Sequence, residues 1–184
     1  MNTLSPFAKL PRLAAIVFLL LSGSAFAADR GALERDARAA LQRLTASVPA
    51  AKSLSGSATA VLVFPKITKA GLGIGGQYGD GVLFKGGKVA GYYNTSGASY
   101  GLQAGAQQFG YAMFLMNDKA VGALAANDGF EVGVGPSVVV MDEGKAKTLT
   151  TTTAKDDIYA FIFGQKGLVA GLGIQGNKIT RLKD

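Results

Sequence analysis

Two copies of a glycine pattern are the first residues in this chain that suggest a chemistry. Ala70-Gly-Leu-Gly-Ile-Gly-Gly76 returns as Ala170-Gly-Leu-Gly-Ile-Gln-Gly176. Each copy fits G-x-G-x-x-G, the fingerprint that cradles a pyrophosphate. That chemistry needs a strand before the glycines and a helix after them, because the helix N-terminus supplies the N–H groups and the dipole that hold the anion. Here the first copy runs into Gln77-Tyr-Gly-Asp-Gly81, and the second ends in Gly176-Asn177, a hairpin dipeptide. Neither is followed by a helical pattern, so no nucleotide cofactor is expected. Glycine alternating with Leu and Ile at period two reads instead as a strand with one bare face. On that face Gly71, Gly73, Gly171 and Gly173 are expected to permit a sharp bend or the close approach of another backbone.

The side chains for acid–base or nucleophilic catalysis are sparse. The chain has no histidine and no cysteine. The usual general base, the thiol nucleophile and the commonest transition-metal ligands are therefore missing, and disulfides and an acylated lipoprotein cysteine are excluded. Carboxylates remain. Asp142-Glu143 and Asp156-Asp157 are adjacent pairs beside turn signals, where sequence neighbours on an extended chain point apart, so both read as solvated turn residues. No catalytic residue, metal site or cofactor is expected, and the chain reads as a non-enzyme.

Cations offer a different function. The chain carries 19 Lys and Arg against 12 Asp and Glu, a net charge of +7. They are spread singly, with no block of like charge, so nucleic acid is not an expected partner. Lys66 and Lys69 flank Ile67-Thr68 between two strand candidates, Lys85 and Lys88 bracket Gly86-Gly87, and Arg35 and Arg38 share the polar face of a predicted helix. If these six converge on one edge, they form a patch for anionic phospholipid at a membrane surface, each worth around 1 kcal/mol. The alternatives are a structural protein whose surface is merely basic, or an acyl chain held inside the sheet.

The elements that must position these residues follow an export signal. Lys9 and Arg12 precede the apolar run Leu13 to Leu21, and Ala25-Phe26-Ala27 is an A-x-A cleavage site. Residues 1–27 thus read as a cleaved secretory signal peptide, with Ala28 as the mature N-terminus and a periplasmic or secreted destination. Residues 28–50 are expected as an amphipathic helix. Leu33, Ala37, Ala40, Leu41, Leu44 and Val48 fall on one face, with Asp29 as N-cap and Pro49 as stop. That face suits packing on a sheet or lying on a membrane.

From Thr59 the period becomes two. Strands are expected over 60–64, 70–78, 82–85, 88–94, 98–107, 110–116, 131–141, 147–153, 158–163, 168–175 and 178–182. Tight turns are expected at Gly79-Asp-Gly81, Gly86-Gly87, Asp142-Glu-Gly144 and Gly176-Asn177. One helix interrupts the series, Lys119 to Ala126, capped by Asn117 or Asp118 and ended by Asn127-Asp-Gly129. The fold class is α+β: a glycine-rich antiparallel sheet closing into a barrel or sandwich, an N-terminal amphipathic helix and one short mid-chain helix. An outer-membrane barrel fits poorly, since tryptophan is absent and a helix falls in mid-series.

Three ordered segments carry a family resemblance. Leu62-Val-Phe-Pro-Lys-Ile-Thr-Lys-Ala-Gly-Leu-Gly-Ile-Gly-Gly76, Gly101-Leu-Gln-Ala-Gly-Ala-Gln107 and Lys166-Gly-Leu-Val-Ala-Gly171 resemble signatures of the SYLF domain. The resemblance covers roughly residues 51–182 and implies a β-rich SYLF-like domain over 51–184. It also implies binding of anionic phospholipids, with actin filaments as a further partner of some eukaryotic members. The lipid-attaching N-terminal segment of such members would correspond here to Arg30 to Val48. This chain departs from the family pattern at Gly173 and Gln175, where many members carry Ser and Glu. It also has Tyr92 or Tyr93 in place of a middle-strand tryptophan. An exported chain would not meet actin filaments, so actin is not an expected partner.

Overall fold

The computed structural model describes residues 12–126, 129–149, 154–164, 167–168 and 176–183. The chain divides into two compact units, Met1–Ala32 and Leu33–Asp184. Of the first, residues 12–32 are helical. They are the leading part of α1, Arg12–Ser47. Asp29 is therefore inside a helix rather than capping one. The Ala- and Leu-rich segment before it contains good helix formers and no proline after position 11, so nothing forces a new start at residue 29. Among the described residues no helix is long and apolar enough to cross a membrane.

Pro49 does interrupt α1, and it also starts a second helix. Val48 is extended at φ −122°, ψ 103°, as a residue before proline must be. Pro49 then occupies the first turn of α2, Pro49–Ser57, where its missing N–H costs nothing. Helix α2 lies within the stretch expected to be β-rich.

The second unit is an α+β fold around one curled, half-barrel sheet. Its frame is a single hairpin of two very long strands, β1 Ala60–Lys85 and β2 Lys88–Leu115, paired antiparallel from Ala60↔Leu115 to Lys85↔Lys88. The three strands expected over 60–85 are one strand, and Gly79-Asp-Gly81 is part of it rather than a turn. The expected turn at Gly86-Gly87 is present, with φ of 58° and 76°, values that only glycine adopts cheaply in a two-residue hairpin loop.

Strands this long cannot stay flat. The register shifts between Phe64 and Ile67, between Gly71 and Gly73, and between Leu83 and Phe84. The glycine repeat contains the middle shift. There the hairpin doubles over, because residues on both sides of it meet. A Cβ on Gly75 would land on the Ala70 carbonyl, one on Gly79 would come within 2.8 Å of Ile67, and one on Gly81 within 2.5 Å of the Phe64 ring. Gly75, Gly79 and Gly81 thus line the inside of a bend. Gly171 and Gly173 lie outside the described residues.

Strand β2 is the centre of the sheet. On its other edge β7, Lys178–Arg181, pairs with Tyr93 to Ser96, and β5, Ile158–Gly164, pairs with Gly110 to Leu115. Strand β3, Phe130–Glu131, extends β7, and β6, Gly167–Leu168, pairs with β5. Strand β4, Val138–Met141, pairs with β5 in parallel, a departure from the antiparallel expectation. The single strand expected over 131–141 is broken between β3 and β4, where Gly133 and Gly135 take positive φ.

Alternation along the hairpin divides the core into two layers. Leu62, Phe64, Ile67, Tyr111, Met113 and Leu115 face the concave side with α3, Asp118–Leu124. Val61, Val63, Val82, Phe84, Phe114 and Phe161 face the convex side, covered by Ala37, Ala40 and Leu44 of α1 and by Leu54 of α2. The mid-chain helix is present as expected, with Asn117 accepting from the Ala120 N–H at 2.9 Å. The segment expected to begin a strand at Lys147 is instead α4, Glu143–Thr148, capped by Asp142 through the Lys145 N–H at 2.8 Å. The expected turn Asp142-Glu-Gly144 is that helix's start. The signal for it was an Asp followed by good helix formers.

Candidate lipid-facing surface

The six predicted cations are carried by three elements, α1 and the two arms of the hairpin. They divide along α1, which crosses the convex face. Lys85 and Lys88 are direct cross-strand partners at the hairpin tip. Like charges in that position repel, and α1 ties down the turn between them. The Arg38 Nη1 donates to the Gly87 carbonyl at 3.0 Å, its other nitrogens donate to Glu34 at 2.8 and 3.0 Å, and its guanidinium lies 4.7 Å from the centroid of the Phe84 ring. Arg38 is therefore a strap that fixes the tip to the helix, and less of its charge is free than the sequence implied. Lys85 has a distant partner in Asp118 at 3.8 Å, both side chains being mostly exposed. Lys88 and Arg35 are exposed.

Lys66 and Lys69 lie on the other arm of the bent hairpin. Lys69 pairs across from Gln107, close to the bend. Lys66 sits in the first register shift, where Pro65 and Lys66 together oppose Gly110. Two residues facing one is a β-bulge, and proline is tolerated there because its missing N–H belongs to no ladder bond. Lys66 lines a groove with Arg43, one and a half turns beyond Arg38 on α1, about 7.5 Å of helix rise. Arg43 escaped the sequence reading because it belongs to no turn and was not counted on the helix's polar face. The structure thus brings Lys85, Lys88 and Arg38 together at the tip, and Lys66 with Arg43 in the groove.

The carboxylates also differ from expectation. Asp157 is a junction and not a solvated turn residue. It accepts from Asn117 Nδ2 at 2.8 Å, from the Ser137 N–H at 3.0 Å and from Lys119 Nζ at 3.1 Å, while its own N–H donates to Ser137 Oγ at 2.9 Å. These bonds tie the start of α3, the residue before β4 and the start of β5. The Asn117 amide first, then the Ser137 N–H and Lys119, lower the Asp157 pKa from 3.8 to about 2. Asp156 is engaged with the Tyr159 hydroxyl, which receives the Asp156 N–H at 3.0 Å. Both acids do structural work here. Among the described residues no group of three or more His, Cys, Asp or Glu is placed to hold a metal ion.

Two buried polar features lie on the concave side. Gln77 and Asn177, the residues that follow the two glycine repeats, hydrogen-bond to each other at 2.6 Å across a sequence separation of 100. The repeats thus deliver an amide pair that pins the β7 end against the bent hairpin. The Tyr111 hydroxyl and Thr95 Oγ1 are buried with no partner among the described residues, and burial pushes the Tyr111 pKa up.

Residues 96–184 match the Ysc84 family model, whose description is Las17-binding protein actin regulator. The segment includes the second and third motifs quoted above and the strands that complete the sheet on both sides of the β2 bend. No curated protein matches the chain.

Proposed function

Since residues 96–184 belong to the SYLF family, whose members bind lipids or actin, we propose that this protein is a non-catalytic binder of anionic phospholipid at an envelope membrane surface. The single observation that carries the reading is the hairpin tip. Lys85 and Lys88 pair side by side at its apex, and Arg38 from α1 anchors the turn between them through the Gly87 carbonyl. A folded chain tolerates such a pair readily when an anionic surface supplies the counter-charge. Lys66, Lys69 and Arg35 add cations on the flanks.

Lipid is favoured over actin by the export signal. Residues 1–27 would be removed on the way to the periplasm or the exterior, where actin filaments are not met. Catalysis is disfavoured by the side-chain inventory, and Asp142 and Asp157 are engaged in a cap and a junction. The test is to replace Lys66, Lys69, Lys85 and Lys88 together by Gln. These side chains are at the surface or at its margin, so the thermal midpoint should hold. Co-sedimentation with phosphatidylglycerol vesicles should fall at least tenfold. Undiminished binding in a folded variant would overturn the head-group reading.

A further inference from the structure

Three adjacent strands become irregular at one level of the sheet. Strand β1 bulges at Pro65-Lys66, β2 presents Gly110 opposite the bulge, and β5 ends its pairing with β2 at Phe163 before leaving at Gly164. Gly110 is required there, since a Cβ would enter the Phe163 ring, so the ring packs closely on the β2 backbone. The result is a groove under α1 lined by Arg43, Pro65, Lys66, Gln108, Gly110 and Phe163, among others.

Its chemistry is one-sided. Two cations and a primary amide reach it, and among the described residues no carboxylate lines it. Among the described residues neither the Arg43 nor the Lys66 side chain has a hydrogen-bond or ion-pair partner, in contrast to Arg38 one and a half turns earlier. Unpaired cations converging beside an aromatic wall complement an anion attached to an apolar body. A planar guanidinium and a mobile ammonium together match the several oxygens of a phosphodiester.

We propose that the Arg43–Lys66 groove binds the phosphodiester of a single anionic phospholipid, with the glycerol and first acyl carbons lying along Phe163. The proposal rests on the lipid reading above for its choice of ligand, but not on the hairpin tip. It makes the protein a reader of individual lipids as well as a body held at a charged surface.

The test is a titration of the isotope-labelled protein with dihexanoyl phosphatidylglycerol below its micelle concentration, followed by amide shifts. Saturable shifts centred on Lys66, Gln108, Gly110 and Gly164 are expected. Arg43→Gln should weaken this binding more than tenfold. Its loss of vesicle binding should be no more than about fivefold, the share of one cation at a charged surface. Lys85→Gln with Lys88→Gln should do the reverse, weakening vesicle binding and leaving the soluble lipid bound. Equal shifts from inorganic phosphate at the same concentration would overturn the lipid assignment in favour of a bare anion site. Shifts confined to the hairpin tip, or unchanged affinity in folded Arg43→Gln, would overturn the groove itself. Failure of phosphatidylglycerol vesicles to bind the wild type, with the groove shifts intact, would overturn only the surface reading.

Discussion

Some glycines in this chain make room and others only sit in a helix, and the two kinds respond oppositely to a methyl group. At Gly81 an added Cβ would meet the Phe64 ring at 2.5 Å and the Val63 carbonyl at 2.8 Å. Gly81→Ala should therefore lower stability by about 1 to 3 kcal/mol, the range for overpacking a core. At Gly122, inside α3, nothing lies within 4 Å, so Gly122→Ala should raise stability by up to about 1 kcal/mol. Denaturant midpoints of the two variants check both signs. Asp157 makes a prediction in pH. Its folded pKa of about 2 is below the ordinary 3.8, so its contribution is complete above pH 3.8 and is lost as pH falls through 2. Wild type should weaken over that window more steeply than Asp157→Asn, as followed by denaturant midpoint against pH. The glycine face was legible in the sequence because period-two alternation left it bare. The Asp157 junction was not, because Asn117 and Ser137 are forty and twenty positions away and no local pattern links them.

Among the elements, α1 is the one whose role was open. Its Ala-rich face suited either a sheet or a membrane, and the structure buries Ala37, Ala40 and Leu44 against the convex face. Leu44 is 2 % exposed. Leu44→Ala should cost about 2 to 5 kcal/mol, which thermal or chemical unfolding would register. A helix whose apolar face served only to touch lipid would lose almost nothing. The sequence also announced the Gly86-Gly87 turn, α3 and the strands β5 and β7 through residues close together in the chain. It failed where the signal was ambiguous at short range. Gly79-Asp-Gly81 looks like a turn, yet its glycines are there for Phe64 and Ile67, which reach them only after the hairpin bends. Lys147 and Thr148 read as the start of a strand, yet the Asp142 cap starts a helix that includes them. Pro49 reads as a stop, and proline at a first turn is equally a start.

For the whole molecule, one bent hairpin creates both candidate contact regions: its tip, strapped to α1 by Arg38, and its bulge, which places Lys66 beside Arg43. The candidate lysines were legible as residues beside turns and between strands, but their grouping along α1 depends on how that helix crosses the sheet, which periodicity does not encode. Export should be visible as an intact mass beginning at Ala28 in protein recovered from the cell envelope, and a mass matching all 184 residues would contradict it. The central claim is most directly tested by co-sedimentation of the mature protein with vesicles of phosphatidylglycerol and of phosphatidylcholine at rising salt. The account predicts binding to the anionic vesicles alone, weakening as salt shortens the Debye length below about 8 Å. Equal binding to both lipids, or binding indifferent to salt, would contradict it.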